Sequence, residues 1–316
     1  MKSTRIFRKK LLLSSFMIAA SFPSYALDIV LSNDDGYTAN LKAIYKILVA
    51  NGHRVIASIP CVNQSGKGAS INFSEPLKDL KQNCLNGAAM VGDPAIGLVR
   101  GETEIYYVDG TPVMSLMYGL DVLAKEKWGK KPDLVVSGAN EGQNLGSIVN
   151  TSGTVSNAQF ALARQIPAIA ISADVNTTNN DVLAEEVAAL TFKLIDNLND
   201  MKKSQGQILP PGYGLNVNIP TFSAGESENL PWVATKFGTF NAYNIYFTND
   251  NGNGGAGIGF GIVGNPAPEQ ANDESAAIQR GNITMTMMQS GFEANIPALQ
   301  WLKINMKNLS VSPSNN

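Results

Sequence analysis

Asp28-Ile29-Val30-Leu31-Ser32-Asn33-Asp34-Asp35-Gly36 is the stretch on which the reading of this chain turns. Ile29 to Leu31 is an apolar run, long enough for one buried strand and too short for a helix. Two carboxylates and a glycine follow it directly. Adjacent ionised Asp side chains repel each other, and a divalent cation would remove that cost. In an open α/β sheet the carboxyl ends of strands are also where ligands bind. Asn-Asp-Asp-Gly is equally good turn chemistry, so on this stretch alone both readings stand open.

Upstream lies a leader. Arg5, Arg8, Lys9 and Lys10 precede an apolar run over 11–20, and Ser24-Tyr25-Ala26 is a small-x-small cleavage signal. Roughly ten apolar residues are too few to span a bilayer core of about 30 Å. Residues 1–26 are therefore expected to be a signal peptide cleaved after Ala26, leaving no membrane anchor and a periplasmic or secreted protein. With the leader's five basic residues set aside, 19 basic residues face 26 acidic ones, a net charge near −7. Such a chain has little with which to neutralise a phosphate backbone, which argues against binding to nucleic-acid duplexes.

Downstream, Leu41, Ile44, Tyr45, Leu48 and Val49 recur at helical spacing up to Asn51-Gly52, a helix C-terminus signal. A strand over 55–59 runs into Pro60 and a polar loop at 63–70 that contains Ser65. Residues 71–108 are short-patterned and turn-broken, as in a hairpin excursion. Gly110-Thr111-Pro112 opens a helix carrying Val113, Leu116, Met117, Leu120 and Leu123 on one face, ended at Lys131-Pro132. A strand over 133–137 empties into a loop at 138–146, and Thr151-Ser152-Gly153-Thr154 opens the next helix. Then come a strand over 168–172, a helix over 181–198 and a strand over 215–219.

This alternation predicts an α/β fold with a doubly wound, mostly parallel, Rossmann-like sheet. One domain is expected over 27–316, with its core at 27–220 and a β-rich, partly helical C-terminal extension at 221–316. Aromatics at even spacing over 237–247 predict β structure there. The Gly- and Asn-rich run at 248–261 reads as a loop.

Three polar loops follow three parallel strands, so Asp34-Asp35, the Ser65 loop and the loop after Ser137 are expected to converge at one sheet edge. Two carboxylates, a serine hydroxyl and an asparagine carbonyl form an all-oxygen set. That suits one divalent ion, Mg²⁺ or Mn²⁺ first and Ca²⁺ as an alternative, and lacks zinc's soft ligands. Ser152-Gly153-Thr154 offers hydroxyls and helix N-terminal N–H groups to an anion, or is an ordinary helix cap. Metal plus anion cradle is the apparatus of phosphoryl transfer to water. His53, the only histidine, sits at the entry to a strand, which leaves little for a histidine-based triad. Cys61 and Cys84 read as a disulfide in an exported chain, or else as two buried thiols.

The motifs Leu31-Ser32-Asn33-Asp34-Asp35-Gly36, Asn63-Gln64-Ser65-Gly66 and Gly110-Thr111-Pro112 occur here in order. They are followed by Ser137-Gly138-Ala139-Asn140-Glu141-Gly142-Gln143-Asn144-Leu145-Gly146 and Ser152-Gly153-Thr154-Val155, then by Pro167-Ala168-Ile169-Ala170-Ile171-Ser172 and Asn216-Val217-Asn218-Ile219-Pro220. In this the chain resembles the SurE survival-protein family over roughly 27–220, with a weaker echo at 273–286. The resemblance implies a metal-dependent hydrolase of nucleoside monophosphates or other small phosphomonoesters, a 5′/3′-nucleotidase with acid-phosphatase character. It implies Asp34, Asp35, Ser65 and Asn140 as metal ligands and Asn144, Ser152, Gly153 and Thr154 as phosphate contacts. Asp34, Asp35 and Asn144 become the catalytic residues, with Asp34 handling the attacking water. It also implies homo-oligomers formed through the C-terminal segment. The chain departs from the family at Val113-Met114, at Pro60-Cys61-Val62 and at the inserted Lys67-Gly68. The alternative is a non-catalytic periplasmic binding protein that keeps the metal and phosphate cradle.

Overall fold

The computed structural model describes residues 26–74, 76–291 and 296–306. The expected leader lies outside them except for Ala26. Among the described residues no helix is long and apolar enough to cross a membrane.

The opening strand, β1 (Asp28–Ser32), is buried along its whole length. Its alternation divides the core in two: Ile29 and Leu31 face one layer of helices, and Val30 the other. The first layer holds α1 (Ala39–Ala50), capped by the Thr38 side chain on the Leu41 N–H and ended at Asn51. β2 (Arg54–Pro60) returns beside β1 in parallel. His53, just before it, accepts a hydrogen bond at Nδ1 from the Leu27 N–H (3.1 Å). Leu27 precedes β1, so the imidazole sits at the end of the sheet away from Asp34.

The excursion that follows contains a short hairpin, β3 (Ile96–Leu98) and β4 (Ile105–Val108); β4 extends the parallel sheet beside β2. Cys61 and Cys84 are joined as a disulfide within it. The expected single helix at 112 is instead α2 (Pro112–Tyr118), a π-helical segment (Gly119–Leu123) and α3 (Ala124–Trp128). It stops three residues before Pro132, at Gly129, where left-handed backbone ends the helix.

β5 (Leu134–Glu141) lies on the other flank of β1. It is followed by α4 (Gly153–Ala163), β6 (Ala168–Ala173), α5 (Asp181–Gln205) and β7 (Tyr213–Asn218). The C-terminal part adds β8 (Trp232–Thr235), β9 (Tyr243–Thr248), β10 (Gly257–Ile262), α6 (Glu274–Gln279), β11 (Ile283–Gln289) and α7 (Ile296–Asn305).

The nine-stranded sheet runs β3-β4-β2-β1-β5-β6-β7-β11-β8. From β4 to β7 every pairing is parallel, β11 turns antiparallel against β7, and β8 pairs parallel with β11. Strand order reverses between β1 and β5, and the crevice above such a switch is where open α/β sheets bind ligands. α1 and α5 share one core layer while α2 and α4 share the other. The β5–α4–β6 and β6–α5–β7 connections thus step the same way over opposite faces. They run with opposite hands, a departure from the right-handed rule for such crossovers.

The run at 248–261 is not all loop. Gly257, Ile258, Gly259, Phe260 and Gly261 pair antiparallel with β9 as strand β10. Glycine is a poor strand residue on average, but here the glycines alternate with apolar residues and keep one face bare. At Gly259 a Cβ would stand 2.6 Å from the Tyr246 ring. The glycine therefore makes the room that the cross-strand tyrosine occupies. Conversely, the β structure expected from residue 237 begins at Tyr243.

Candidate active site

Asn33-Asp34-Asp35-Gly36 is both a turn and a site. Asn33 closes the turn, donating from Nδ2 to Gly36 O (2.7 Å) and accepting from the Gly36 N–H (3.1 Å). That closure presents two neighbouring carboxylates at the switch point, both almost wholly buried.

Asp35 is held on three sides. Its Oδ1 accepts from Asn63 Nδ2 (2.8 Å) and Ser65 Oγ (3.4 Å), and its Oδ2 from the Glu141 N–H (2.9 Å). Asp34 accepts a short hydrogen bond from the Thr154 hydroxyl, and the Gly153 N–H also faces its carboxyl. Thr154 Oγ1 lies 3.1 Å from Asn140 Oδ1, while Asn140 Nδ2 donates to Gly142 O (2.7 Å). The four expected metal ligands thus meet, directly or through Thr154.

Burial raises both carboxyls. Asp34 is pushed up to about 7, by desolvation first and by the charge on Asp35 second, against the pull of the Thr154 hydroxyl. Desolvation also raises Asp35, opposed by the Glu141 N–H, Asn63 and Ser65. Glu141 is raised by burial and by Asp35. No cationic side chain figures among the influences on Asp34 or Asp35. Two adjacent buried carboxylates without a counter-charge, ringed by hydroxyl and amide oxygens, fit a hard divalent cation.

The cleft beside them measures about 380 Å³ and is lined by Asp34, Ser65, Asn140, Asn144 and Ser152, with Tyr243, Ile245 and Phe260 from the C-terminal part. Of the expected phosphate contacts, Asn144 and Ser152 stand on its wall. Gly153 and Thr154 do not: Thr154 is fully buried with its hydroxyl on Asp34, and Gly153 backs the same carboxylate. Ser152 also caps α4, accepting from the Val155 N–H (3.1 Å). The inserted Gly68 ties the serine loop to this corner through Thr151 O (3.0 Å). Val113 is fully buried in the core, away from the cleft wall.

Several supports of the site stood in the quoted motifs or the weaker echo without a role assigned to them. Asn144 is clamped through its backbone: its N–H donates to Asn218 Oδ1 (2.8 Å), and its carbonyl accepts from Asn216 Nδ2 (3.0 Å) and Asn218 Nδ2 (3.1 Å). Its side chain donates to Ser172 Oγ (2.9 Å). Two residues on, the Gly146 N–H donates to Glu274 Oε1 (2.8 Å), and Glu274 Oε2 accepts from Asn216 (3.1 Å) and Thr286 (2.9 Å). Burial pushes Glu274 up to about 7 against those three donors. Asn216 and Asn218 were visible as amides alternating within an apolar strand. Glu274 lay in the weaker family echo at 273–286, which gave it no role.

The family described as Survival protein SurE matches residues 29–242. The chain belongs to the SurE family. It is 36% identical over 202 residues to a protein of Yarrowia lipolytica named acid phosphatase, a match covering 61% of this chain and 56% of that protein. It is 36% identical over 203 residues to the 5′-nucleotidase SurE of Aquifex aeolicus, covering 64% of this chain and 68% of that one. The crystal structure of the Sure protein from Aquifex aeolicus superimposes with a TM-score of 0.66 at 28% identity, covering 88% of this chain and 99% of that chain. The SurE fold accordingly extends through the C-terminal strands, beyond the stretch that carries the motifs.

Proposed function

We propose that this chain is a metal-dependent phosphomonoesterase hydrolysing nucleoside monophosphates, with 5′/3′-nucleotidase and acid-phosphatase character. It is a phosphoric monoester hydrolase like its acid phosphatase and 5′-nucleotidase relatives. The observation that carries the finer reading is the uncompensated pair Asp34–Asp35 at the switch-point cleft.

Asp34, Asp35, Ser65 and Asn140 would hold one divalent cation, Mg²⁺ or Mn²⁺ by the hardness of the donor set. When bound, that ion supplies Lewis-acid polarisation of the phosphoryl oxygens and a more acidic water. Asn144 and Ser152, on the cleft wall, contact the phosphoryl group. Asp34, whose carboxylate lines the cleft, orients or deprotonates the attacking water. Gly153 and Thr154 act through Asp34 by fixing its carboxylate. The basic–apolar–small pattern of residues 1–26 and the Cys61–Cys84 bridge support an exported enzyme, periplasmic or secreted. A purified mature chain beginning elsewhere than Leu27 would count against that cleavage site.

The test is hydrolysis of AMP by the purified chain before and after dialysis against EDTA. Activity should vanish with chelation and return with Mg²⁺ or Mn²⁺; full turnover by the metal-free chain would remove the proposal.

A further inference from the structure

The cleft has a second wall that the hydrolytic residues leave unused. On one face of the β9–β10 hairpin, the pairings Phe260↔Ile245 and Ile258↔Phe247 gather apolar side chains in register. Of these, Ile245 and Phe260 line the cleft together with Tyr243. The Tyr243 and Phe260 rings stand 5.2 Å apart at 31°, and Phe260 is 60% exposed. The tyrosine is held in place: its hydroxyl donates to Gln143 Oε1 (3.0 Å), and Gln143 Nε2 donates to Asp174 Oδ2 (2.9 Å). Gln143 immediately precedes Asn144, so the aromatic wall and the phosphate wall are parts of one hydrogen-bonded frame. On the back of the hairpin Tyr246 lies across Gly259, and the front is left clear.

An exposed aromatic face inside a polar cleft suits a flat π-system, and base–aromatic stacking is worth roughly five- to a hundredfold in affinity. A ribose or a polyol offers no such face. We infer that the Tyr243–Phe260 pair docks the base of the leaving nucleoside, so that these two residues set the preference for base-bearing phosphomonoesters over sugar and polyol phosphates. The inference deepens the phosphomonoesterase reading and rests on it only for the phosphate end.

Phe260→Ala tests it, since a residue so exposed is not needed for the core. On the Mg²⁺-loaded full chain, kcat/KM is measured for AMP and for ribose 5-phosphate, with binding of adenosine, which carries the ring without the phosphate. The variant should lose roughly tenfold in kcat/KM for AMP, mainly through KM, and should lose adenosine binding. Ribose 5-phosphate turnover and inhibition by inorganic phosphate should stay within about twofold, as expected of residues remote from the phosphoryl group. Unchanged adenosine binding, or an equal loss on both substrates, overturns the inference. An equal loss accompanied by a changed mass in light scattering would reassign the face to contact between copies, which also overturns it. If the wild-type chain hydrolyses neither ester but binds adenosine through Phe260, the wall stands and the hydrolase reading falls.

Discussion

Gly153→Ala is the sharpest probe of how Asp34 is held. A Cβ at position 153 would stand 2.6 Å from Asp34 Cβ, 2.7 Å from Pro112 Cγ and 2.9 Å from Asp34 Oδ2. Carbon atoms settle at about 3.5–4.0 Å, so something must retreat by about 1 Å. Pro112 is buried in the first turn of α2, which leaves the Asp34 side chain to take much of the movement. Overpacking costs about 1–3 kcal/mol. Alanine in a helix returns roughly 0.5–1 kcal/mol over glycine. The net loss of about 1–2 kcal/mol should lower Tm by only a few degrees, roughly 2–8 °C for a domain somewhat smaller than this one. Activity should fall much further, because a misplacement of about 1 Å at a reacting group costs on the order of a hundredfold. At about 1.36 kcal/mol per tenfold, that is roughly 2.7 kcal/mol of transition-state stabilisation. Differential scanning calorimetry and AMP hydrolysis at saturating Mg²⁺ give both numbers on one preparation. A variant with kcat/KM within about threefold of wild type and a lowered Tm would show that Asp34 does not depend on this contact.

Glu274→Gln places an amide nitrogen among three donors, so it should lose about 1–3 kcal/mol and lower Tm measurably. Because burial raises the Glu274 pKa from 4.5 to about 7, the folded state binds the extra proton in that window. Its contribution is complete below about pH 4.5 and is lost as pH rises through about 7. The stability gap between wild type and Glu274→Gln should therefore narrow from pH 4.5 towards 7, and denaturant titrations in which it widened would contradict the assignment. Reducing the Cys61–Cys84 bridge, whose sequence separation is 23, should remove roughly 3 kcal/mol by the chain-entropy account; an unchanged Tm in dithiothreitol would refute this.

The parallel half of the sheet was legible because β1, β5 and β6 are short apolar runs that stop abruptly at Asn, Asp or Gly. Convergence of Asp34, Ser65 and Asn140 followed from topology, since residues just past parallel strands must share an edge. What stayed hidden depends on partners far away in sequence. Thr154 read as a cap or an anion donor, because nothing nearby shows that its hydroxyl is turned onto Asp34, 120 residues earlier. The strand at Gly257 was obscured by its own glycines, whose role emerges only once Tyr246 lies opposite. Glu274 lay within the weaker family echo at 273–286 but with no role attached, and its meaning comes from Gly146 and Asn216.

The clamp on the Asn144 loop also sets a timetable for the growing chain. Gly146 waits for an acceptor 128 residues downstream, and Gln143 for a hydroxyl 100 residues downstream. At about 5–20 residues per second of synthesis, Glu274 follows Gly146 from the ribosome by roughly 6–25 s. During that interval Asp34, Asp35, Ser65 and Asn140 have all been made, and Ser172, Asn216 and Asn218 can already hold Asn144, yet the loop still lacks its last anchor at Gly146. Nascent chains stalled at graded lengths should stay inert until Glu274 and β11 have emerged. A hydrolase assembled in this order gains the last support of its Asn144 loop only after the whole parallel half of its sheet has been made.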